Sequence, residues 1–321
     1  MPTKSTKRKS SSRSDANTTS RPRSRQSAKE VTHTEQYPAP PFPPQHQESP
    51  GLESRVHPRP QFIAPLYKGS GKLQDKTAIV TGGDSGIGRA ISVLFAREGA
   101  DVAIIFLPQE QSDAQETARA IEGEGRRAML IPGDVTDPGF CIDAVNRVIA
   151  TFGKLDVLVN NAGYQKNQKN LADVTEEQWD HTFRTNIYGY FHMVKAAVPN
   201  MKAGSSIVNT GSVTGLEGEK SLLDYSATKG AIHAFTKTLA QMLTEKKIRV
   251  NAVAPGPVWT PLNPSAKPAD KVTDFGADVS FGRPGQPEEL APAYVFLASN
   301  ITSSYISGAI LPVLGGETIA G

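Results

Sequence analysis

A tyrosine and a lysine four positions apart are the residues of this sequence best suited to moving a proton. The segment Tyr225–Lys229 (YSATK) has helical spacing, and residues four apart on a helix lie on one face. A free phenol has a pKa of about 10, which is too high for ready proton exchange near neutrality. A neighbouring ammonium favours the phenolate and lowers that pKa, so we expect Lys229 to prepare Tyr225 for general acid–base chemistry.

Two polar residues upstream of this pair are further candidates. Ser212 follows an apolar run that predicts a strand, and a hydroxyl at the end of that strand would lie beside Tyr225. Asn186 lies in a segment with helical spacing, where an amide side chain is an unfavourable choice. Taken singly, Ser212 is also explained as a turn residue and Asn186 as a helix cap.

A glycine-rich segment near the start of the patterned part of the chain is suited to binding phosphate. Thr81–Gly88 (TGGDSGIG) lies directly between a predicted strand and a predicted helix. Glycines in such a turn let the backbone approach a pyrophosphate, and the first N–H groups of the helix bind the anion. We expect the site to comprise Gly82, Ser85, Gly86, Ile87 and Gly88.

The elements that position these residues alternate between two kinds of pattern. Short apolar runs predict seven strands, at residues 77–80, 102–106, 128–131, 157–159, 206–209, 249–253 and 310–313. Helical spacing falls between them, at residues 90–97, 114–121, 142–150 and 227–243. Alternation of this kind predicts one α/β domain with a doubly wound, seven-stranded parallel sheet and helices on both faces. Ligands of such sheets bind at the carboxyl ends of the strands.

Several motifs together resemble the short-chain dehydrogenase/reductase family. The form T-G-x-x-x-G-x-G, the Asn-Asn-Ala-Gly turn at 160–163 and Y-x-x-x-K are all present. The resemblance implies a Rossmann-type fold and hydride exchange between a nicotinamide cofactor and a carbonyl or alcohol. It also implies four roles: Asn186 holds a water on the Lys229 side, Ser212 steadies the substrate oxygen, Tyr225 transfers the proton, and Lys229 binds the ribose hydroxyls.

The same resemblance assigns cofactor contacts to three further turns. They follow the third, fourth and sixth predicted strands and comprise Asp134 and Val135, then Asn160, Asn161, Ala162 and Gly163, then Pro255, Gly256, Val258 and Thr260. For Asp134 an alternative stays open, since an acid shortly before Pro138 could instead cap a helix.

The end of the second strand bears on which cofactor is used. Where NAD is preferred, an acid about 20 residues past the glycine turn accepts bonds from the ribose 2′-OH. Here the strand ends at residues 105–108 (IFLP), with no acid at its tip and no Arg or Lys to pair with a 2′-phosphate. Arg89 could reach such a phosphate only by folding back. We expect NADP, with NAD also used, and no metal, because the six histidines show no ligand spacing.

Segments 49–53, 67–73 and 82–88 are similar to one branch of the family, the bacterial general-stress and plant glucose/ribitol-dehydrogenase-like proteins. This implies aldehyde, sugar or polyol substrates, with residues 261–285 as a lid. A nicotinamide-binding sensor or scaffold without turnover is the alternative, although the complete set of Asn186, Ser212, Tyr225 and Lys229 speaks against it.

The chain divides by composition into three zones. We expect a disordered basic tail at 1–38, a proline-rich extended arm at 39–74 and the dehydrogenase domain at 75–321. The arm carries Phe62, Ile63, Leu66 and Tyr67, which are too apolar for a free linker. We therefore expect them to pack on the domain or on a neighbouring subunit of a homo-oligomer, a dimer or a tetramer.

Charge and cysteine content exclude several classes of function. Residues 1–70 hold 12 of the 35 Lys and Arg residues but 5 of the 32 Asp and Glu residues, so the remaining body is mildly acidic. Such a body does not attract nucleic acid, although a basic tail leaves that alternative open. The single cysteine, Cys141, excludes an internal disulfide and fits a reducing compartment, as a core residue rather than a nucleophile. We expect a cytoplasmic protein without a membrane segment, with organelle import as the alternative.

Overall fold

A seven-stranded parallel sheet forms the centre of the computed structural model, which describes residues 37–318. The strand order is β3-β2-β1-β4-β5-β6-β7, so the chain reverses its winding direction between β1 and β4. The strands are β1 (Thr77–Thr81), β2 (Asp101–Phe106), β3 (Ala128–Pro132), β4 (Leu155–Asn160), β5 (Met201–Thr210), β6 (Arg249–Pro255) and β7 (Ile310–Val313). All seven predicted strands are present, and the predicted doubly wound topology is confirmed.

Helices cover both faces of this sheet. They are α1 (Gly86–Arg97), α2 (Gln111–Gly123), α3 (Pro138–Phe152), α4 (Glu176–Phe183), α5 (Gly189–Ala197), α6 (Thr214–Glu217), α7 (Leu223–Met242), α8 (Leu262–Ala266), α9 (Pro287–Ala298) and α10 (Asn300–Ser303). One apolar cluster joins α1, α2 and α9 to the sheet, and a second joins α3, α5 and α7 to its other face. The central strands are buried on both faces, which is why they read as continuous apolar runs.

The arm and the sheet belong to one compact unit, and that unit begins at Pro38. Phe62 and Tyr67 pack against the cluster around α1 and α9, as expected. Ile63 and Leu66 remain 46% and 68% exposed on this chain, so for these two residues packing on a neighbouring subunit stays a prediction. No helix within residues 37–318 is long and apolar enough to cross a membrane.

Candidate active site

A cavity of about 780 Å³ opens at the carboxyl ends of the strands, beside the reversal between β1 and β4. Turns that follow β1, β3, β4, β5 and β6 build its wall. Most of the predicted site residues line it: Gly82, Ser85, Gly86, Ile87, Asp134, Val135, Asn161, Ala162, Gly163, Ser212, Tyr225, Lys229, Pro255, Gly256, Val258 and Thr260. Gly88, Asn160 and Asn186 are not in the wall.

The glycine turn has the tight geometry that its sequence predicts. Gly86 begins α1 with a φ of +50°, a left-handed conformation in which a side chain would be strained. A β-carbon at Gly88 would lie 1.8 Å from the carbonyl oxygen of Gly82, so only glycine fits there. Gly88 therefore shapes the turn without contacting the cavity, whereas the first residues of α1 face it.

The Asn-Asn-Ala-Gly turn after β4 is fastened to the glycine turn. Thr81 Oγ1 accepts from the N–H groups of Asn161 and Ala162 at 2.9 and 3.0 Å. Asn161 Nδ2 donates to the carbonyl oxygen of Gly82 at 3.1 Å. Asn160 is directed into the protein instead, where its Nδ2 donates to Asn209 Oδ1 at 2.9 Å. It braces two strands and is not positioned to contact a ligand.

The structure decides between the two readings of Asp134. The cap of α3 is Asp137, whose carboxylate accepts from the N–H of Gly139 at 2.7 Å. Asp134 is exposed at the cavity and accepts only from the N–H of Thr136, at 2.8 Å. Its carboxylate therefore remains available to a ligand, and Val135 lines the cavity beside it.

Tyr225, Ser212 and Lys229 come together where β5 ends and α7 begins. Ser212 lies close enough to the Tyr225 hydroxyl for its side chain to lower the tyrosine pKa. Lys229 is almost fully buried, and its Nζ donates to the carbonyl oxygen of Thr210 at 2.8 Å. The same Nζ lies 5.3 Å from the centre of the Tyr225 ring. The helical stacking inferred from the four-residue spacing is thus present, and all three groups border one cavity.

The electrostatics of this cluster differ from the expectation. Burial raises the pKa of Tyr225 to about 12, which the side chain of Ser212 only partly opposes. Burial also lowers the pKa of Lys229 to about 7, because the ammonium is desolvated. Desolvation is the main cause of both shifts, and the role of Lys229 in preparing Tyr225 remains a prediction.

Asn186 lies in a π-helical turn, Arg184–Tyr188, between α4 and α5. Such turns are frequent at functional sites. Its side chain is buried and accepts from the N–H of Tyr164 at 2.8 Å. It donates to the Tyr164 carbonyl oxygen at 2.9 Å and to Thr228 Oγ1 at 3.0 Å. Both amide hydrogens are thereby used within the protein, so the side chain ties the turn after β4 to α7.

The cavity wall also contains two acids, one from the glycine turn and one at the tip of β2, where the sequence pattern predicted none. Glu110 folds back so that its carboxylate accepts from the N–H of Leu107 at 2.9 Å, at the tip of β2. Asp84, from the glycine turn, is buried in the same wall. Burial raises the pKa of both carboxyls, and for Glu110 the charge of Asp84 adds to the effect. The acid at the strand tip was missed because it comes from the next helical turn.

Arg89 does not fold towards the cavity. It is fully buried, with its Nη1 2.7 Å from Glu53 Oε1 and 3.2 Å from Glu116 Oε2. Its Nε donates to the carbonyl oxygen of Asp84 at 2.8 Å. Arg89 does not fold back to reach a 2′-phosphate, because Glu53 and Glu116 hold the guanidinium behind the turn.

Some residues of the site carried no readable signal in the sequence. Ser49 and Pro50 of the arm line the cavity, and Thr210 accepts from Lys229 through a backbone oxygen that any residue type could supply. His233 is buried behind Ser212, and burial lowers its pKa to about 4, so it is neutral there. The sequence placed His233 two helical turns after Tyr225 on α7, and that was its only sign of lying near the site.

Known proteins match this chain along most of its length. The family model described as enoyl-(acyl carrier protein) reductase matches residues 82–318. The chain is 50% identical over 270 residues to "General stress protein 39" of Bacillus subtilis, covering 84% of this chain and 94% of that protein. It is 48% identical to "Glucose and ribitol dehydrogenase" of Daucus carota, covering 87% and 98%. It is 46% identical to "NADPH-dependent aldehyde reductase 1, chloroplastic" of Arabidopsis thaliana, covering 84% and 96%.

A solved structure of similar fold supports the same relationship. The crystal structure of a short-chain dehydrogenase from Burkholderia cenocepacia in complex with NADP superimposes with a TM-score of 0.70 at 34% identity. The match covers 76% of this chain and 98% of that one. The chain therefore belongs to the short-chain dehydrogenase/reductase family and is an NAD(P)-dependent oxidoreductase.

Proposed function

We propose that this protein interconverts an alcohol and a carbonyl of the aldehyde, ketone or sugar type, with NADP(H) as the preferred cofactor and NAD(H) as a second one. One observation carries the proposal: the hydroxyls of Tyr225 and Ser212 and the ammonium of Lys229 border a single cavity. The glycine turn borders the same cavity. A proton donor and a phosphate-binding turn thus serve one ligand-sized space.

The chemistry divides between cofactor and protein. The bound nicotinamide supplies or accepts a hydride. In reduction Tyr225 gives the proton of its Oη to the substrate oxygen, and Ser212 holds that oxygen by a hydrogen bond. Because the pKa of Tyr225 is raised to about 12, the phenol carries its proton near neutrality and is ready to donate. Lys229, four residues on, places positive charge beside the phenolate that remains and reaches the ribose hydroxyls.

The two acids of the cavity wall are compatible with NADP. Ionised Asp84 and Glu110 would repel a 2′-phosphate, but burial raises the pKa of both. A protonated carboxyl donates a hydrogen bond to a phosphate oxygen and costs no repulsion. The NADP in the Burkholderia structure and the printed name of the Arabidopsis relative support the same choice. The carboxyl oxygens would also accept a hydrogen bond from the 2′-OH of NAD.

Part of the cavity wall is polar. Tyr164, Gln165, His181, Glu219 and Lys267 line it together with the proposed catalytic set. Groups of both signs suit a substrate with several hydroxyls better than a hydrocarbon. The relatives named for glucose, ribitol and aldehyde support that class. Residues 261–285, which supply Lys267 and several further wall residues, are the proposed lid.

The exposed apolar residues of the arm suggest where a second subunit binds. Ile63 and Leu66 are exposed on an otherwise docked segment. We propose that the protein is a homo-oligomer in which a neighbouring subunit covers them. The tail, arm and domain boundaries at 38 and 74 are proposed with it, as is a cytoplasmic location, which the single cysteine favours.

A screen of aldehydes, ketones, aldoses and polyols, followed by nicotinamide absorbance with both cofactors, tests this function. Tyr225→Phe is the matched control, since it removes one oxygen and keeps the ring. General acid–base catalysis is typically worth ~10²–10⁴-fold, so we expect kcat to fall by that factor while cofactor Kd changes little. Turnover by Tyr225→Phe at the wild-type rate would refute the roles. Tight cofactor binding without turnover of any substrate would favour the silent sensor instead.

A further inference from the structure

The arm contacts two of the turns that border the cavity, the glycine turn after β1 and the turn after β6. Trp259 lies within the turn after β6, between two residues that line the cavity. Its ring stacks on Phe42 of the arm, with centroids 4.1 Å apart and planes 16° from parallel. Its indole N–H donates to the carbonyl oxygen of Pro58 at 2.7 Å. The turn after β6 is thus held between two points of the arm.

The second contact is a carboxylate behind the glycine turn. Glu53 lies in a short 3-10 helix of the arm, Glu53–Arg55, and is fully buried. Its Oε2 accepts from the N–H of Gly86 at 2.5 Å, and its Oε1 lies 2.7 Å from Arg89 Nη1. Gly86 is the left-handed residue at the start of α1. The arm therefore fixes the orientation of the N–H group of Gly86, where the glycine turn passes into α1.

This contact is costly, and the arm does not need it for attachment. Burial raises the pKa of Glu53 to about 7 in spite of the charge of Arg89, so the carboxylate is held against a desolvation penalty. At the other end of α1, buried Glu98 already fastens the arm by accepting from the N–H groups of Ser70 and Lys72 at 2.9 and 2.8 Å. A buried titratable group with a perturbed pKa beside a cavity is a candidate for a functional role.

We propose that Glu53 is a positioning residue for cofactor binding, which holds the glycine turn in the shape that accepts a pyrophosphate. Arg89 neutralises the carboxylate, so the amino end of α1 still attracts an anion. Arm docking and cofactor binding then stabilise each other, since a coupling between two binding events is reciprocal. The inference rests on the proposed use of the glycine turn by NADP(H).

Three variants test this role by cofactor affinity. Glu53→Leu removes the acceptor for Gly86, Glu53→Gln keeps an acceptor of the same shape, and Glu98→Gln perturbs the arm far from the cavity. Kd for NADPH is measured by calorimetry, and Tm is measured without cofactor. We expect Kd to rise about tenfold in Glu53→Leu, as for one charge-assisted hydrogen bond, and by less than about threefold in Glu53→Gln. Glu98→Gln should lower Tm and leave Kd within about twofold.

Two results would overturn the role of Glu53. One is an unchanged Kd in Glu53→Leu. The other is a rise in Kd for Glu98→Gln equal to that for Glu53→Leu at the same loss of Tm, since general loosening would then explain both. If the wild-type chain binds neither NADPH nor NADH, the proposed function fails and this inference fails with it. If it binds them and the variants bind equally well, only the inference fails.

A measurement on the wild-type chain alone makes the test independent of how well the variants fold. NADPH should slow amide hydrogen exchange in the arm around Glu53 and at Gly86, and leave exchange at residues 70–72 unchanged. Exchange around Glu53 that does not respond to saturating NADPH would contradict the coupling.

Discussion

Replacing Arg89 by methionine separates two roles for one buried cation, reaching a 2′-phosphate or neutralising carboxylates behind the glycine turn. Methionine keeps the length of the apolar stem and removes the charge. The guanidinium Nη1 lies 2.7 Å from Glu53 and 3.2 Å from Glu116, and two further nitrogens donate to the carbonyl oxygens of Asp84 and Asp113. In the variant, Glu53 would therefore stay buried with no positive charge as close to it as Arg89 is in the wild type.

The expected loss is large. Removing one partner of a buried ion pair costs about 3–5 kcal/mol. Each kcal/mol shifts Tm by roughly 2–4 °C in domains of about this size, so Tm should fall by on the order of 10 °C. The pKa of Glu53, already raised to about 7, should rise further without Arg89. A carboxyl whose pKa is higher in the folded state stabilises the fold as pH falls, so the loss should be smaller at about pH 5.5 than at about pH 8.

Thermal unfolding at the two pH values measures this, and fluorescence titration gives Kd for NADPH and NADH. Arg127→Met is the control, because Arg127 pairs with Asp101 at 2.6 Å but is 59% exposed. An exposed pair contributes about 0–1 kcal/mol, so its Tm should hardly move. An unchanged Tm for Arg89→Met, together with a selective loss of NADPH affinity, would refute the buried role and restore the phosphate role.

Three further outcomes follow from the site. Preference for NADPH over NADH, as a ratio of kcat/KM values, should fall as pH rises, because ionisation of carboxyls with raised pKa repels the 2′-phosphate; Glu110→Gln should flatten that profile, and an unaltered slope would contradict this. Gly88→Ala places a methyl group 1.8 Å from the Gly82 carbonyl oxygen, so Kd for either cofactor, measured by titration, should rise more than about tenfold. Gly123→Ala is the control: its added methyl group has no atom within 4 Å, so Kd should not change. The rate of alcohol oxidation should rise with pH and the rate of carbonyl reduction should not, because oxidation needs the phenolate and the pKa of Tyr225 is raised to about 12. An oxidation rate that stays constant from pH 7 to pH 9 would argue against Tyr225 as the base.

The sheet could be predicted because its strands are buried on both faces. Residues 77–81 and 101–106 are buried throughout and therefore read as unbroken apolar runs. The helix after β1 begins four residues before its apolar pattern, at Gly86, because the turn that binds anions is made of small residues without periodicity. The placement of Tyr225, Ser212 and Lys229 around one cavity was also predictable, since it follows from strand ends and helical spacing alone.

Contacts between segments distant in sequence could not be predicted. Glu53 accepts a hydrogen bond from Gly86, which is 33 positions away in the sequence, and no pattern around either residue predicts that contact. Glu110 reaches the tip of β2 because the chain enters a short helix directly after Leu107. The apolar pattern of the strand gives no information about that helix. Likewise Ile63 and Leu66 are apolar but exposed, and composition alone does not tell which side of an extended segment faces the domain.

The direction of the Tyr225 pKa shift could not be predicted for the same reason. Spacing on a helix specifies which charged groups are neighbours, but desolvation depends on everything else that packs around them. Lys229 lies under the end of β5, where burial lowers its own pKa to about 7. A phenol whose pKa is raised keeps its proton and is prepared to donate it, whereas a role as base requires the phenolate.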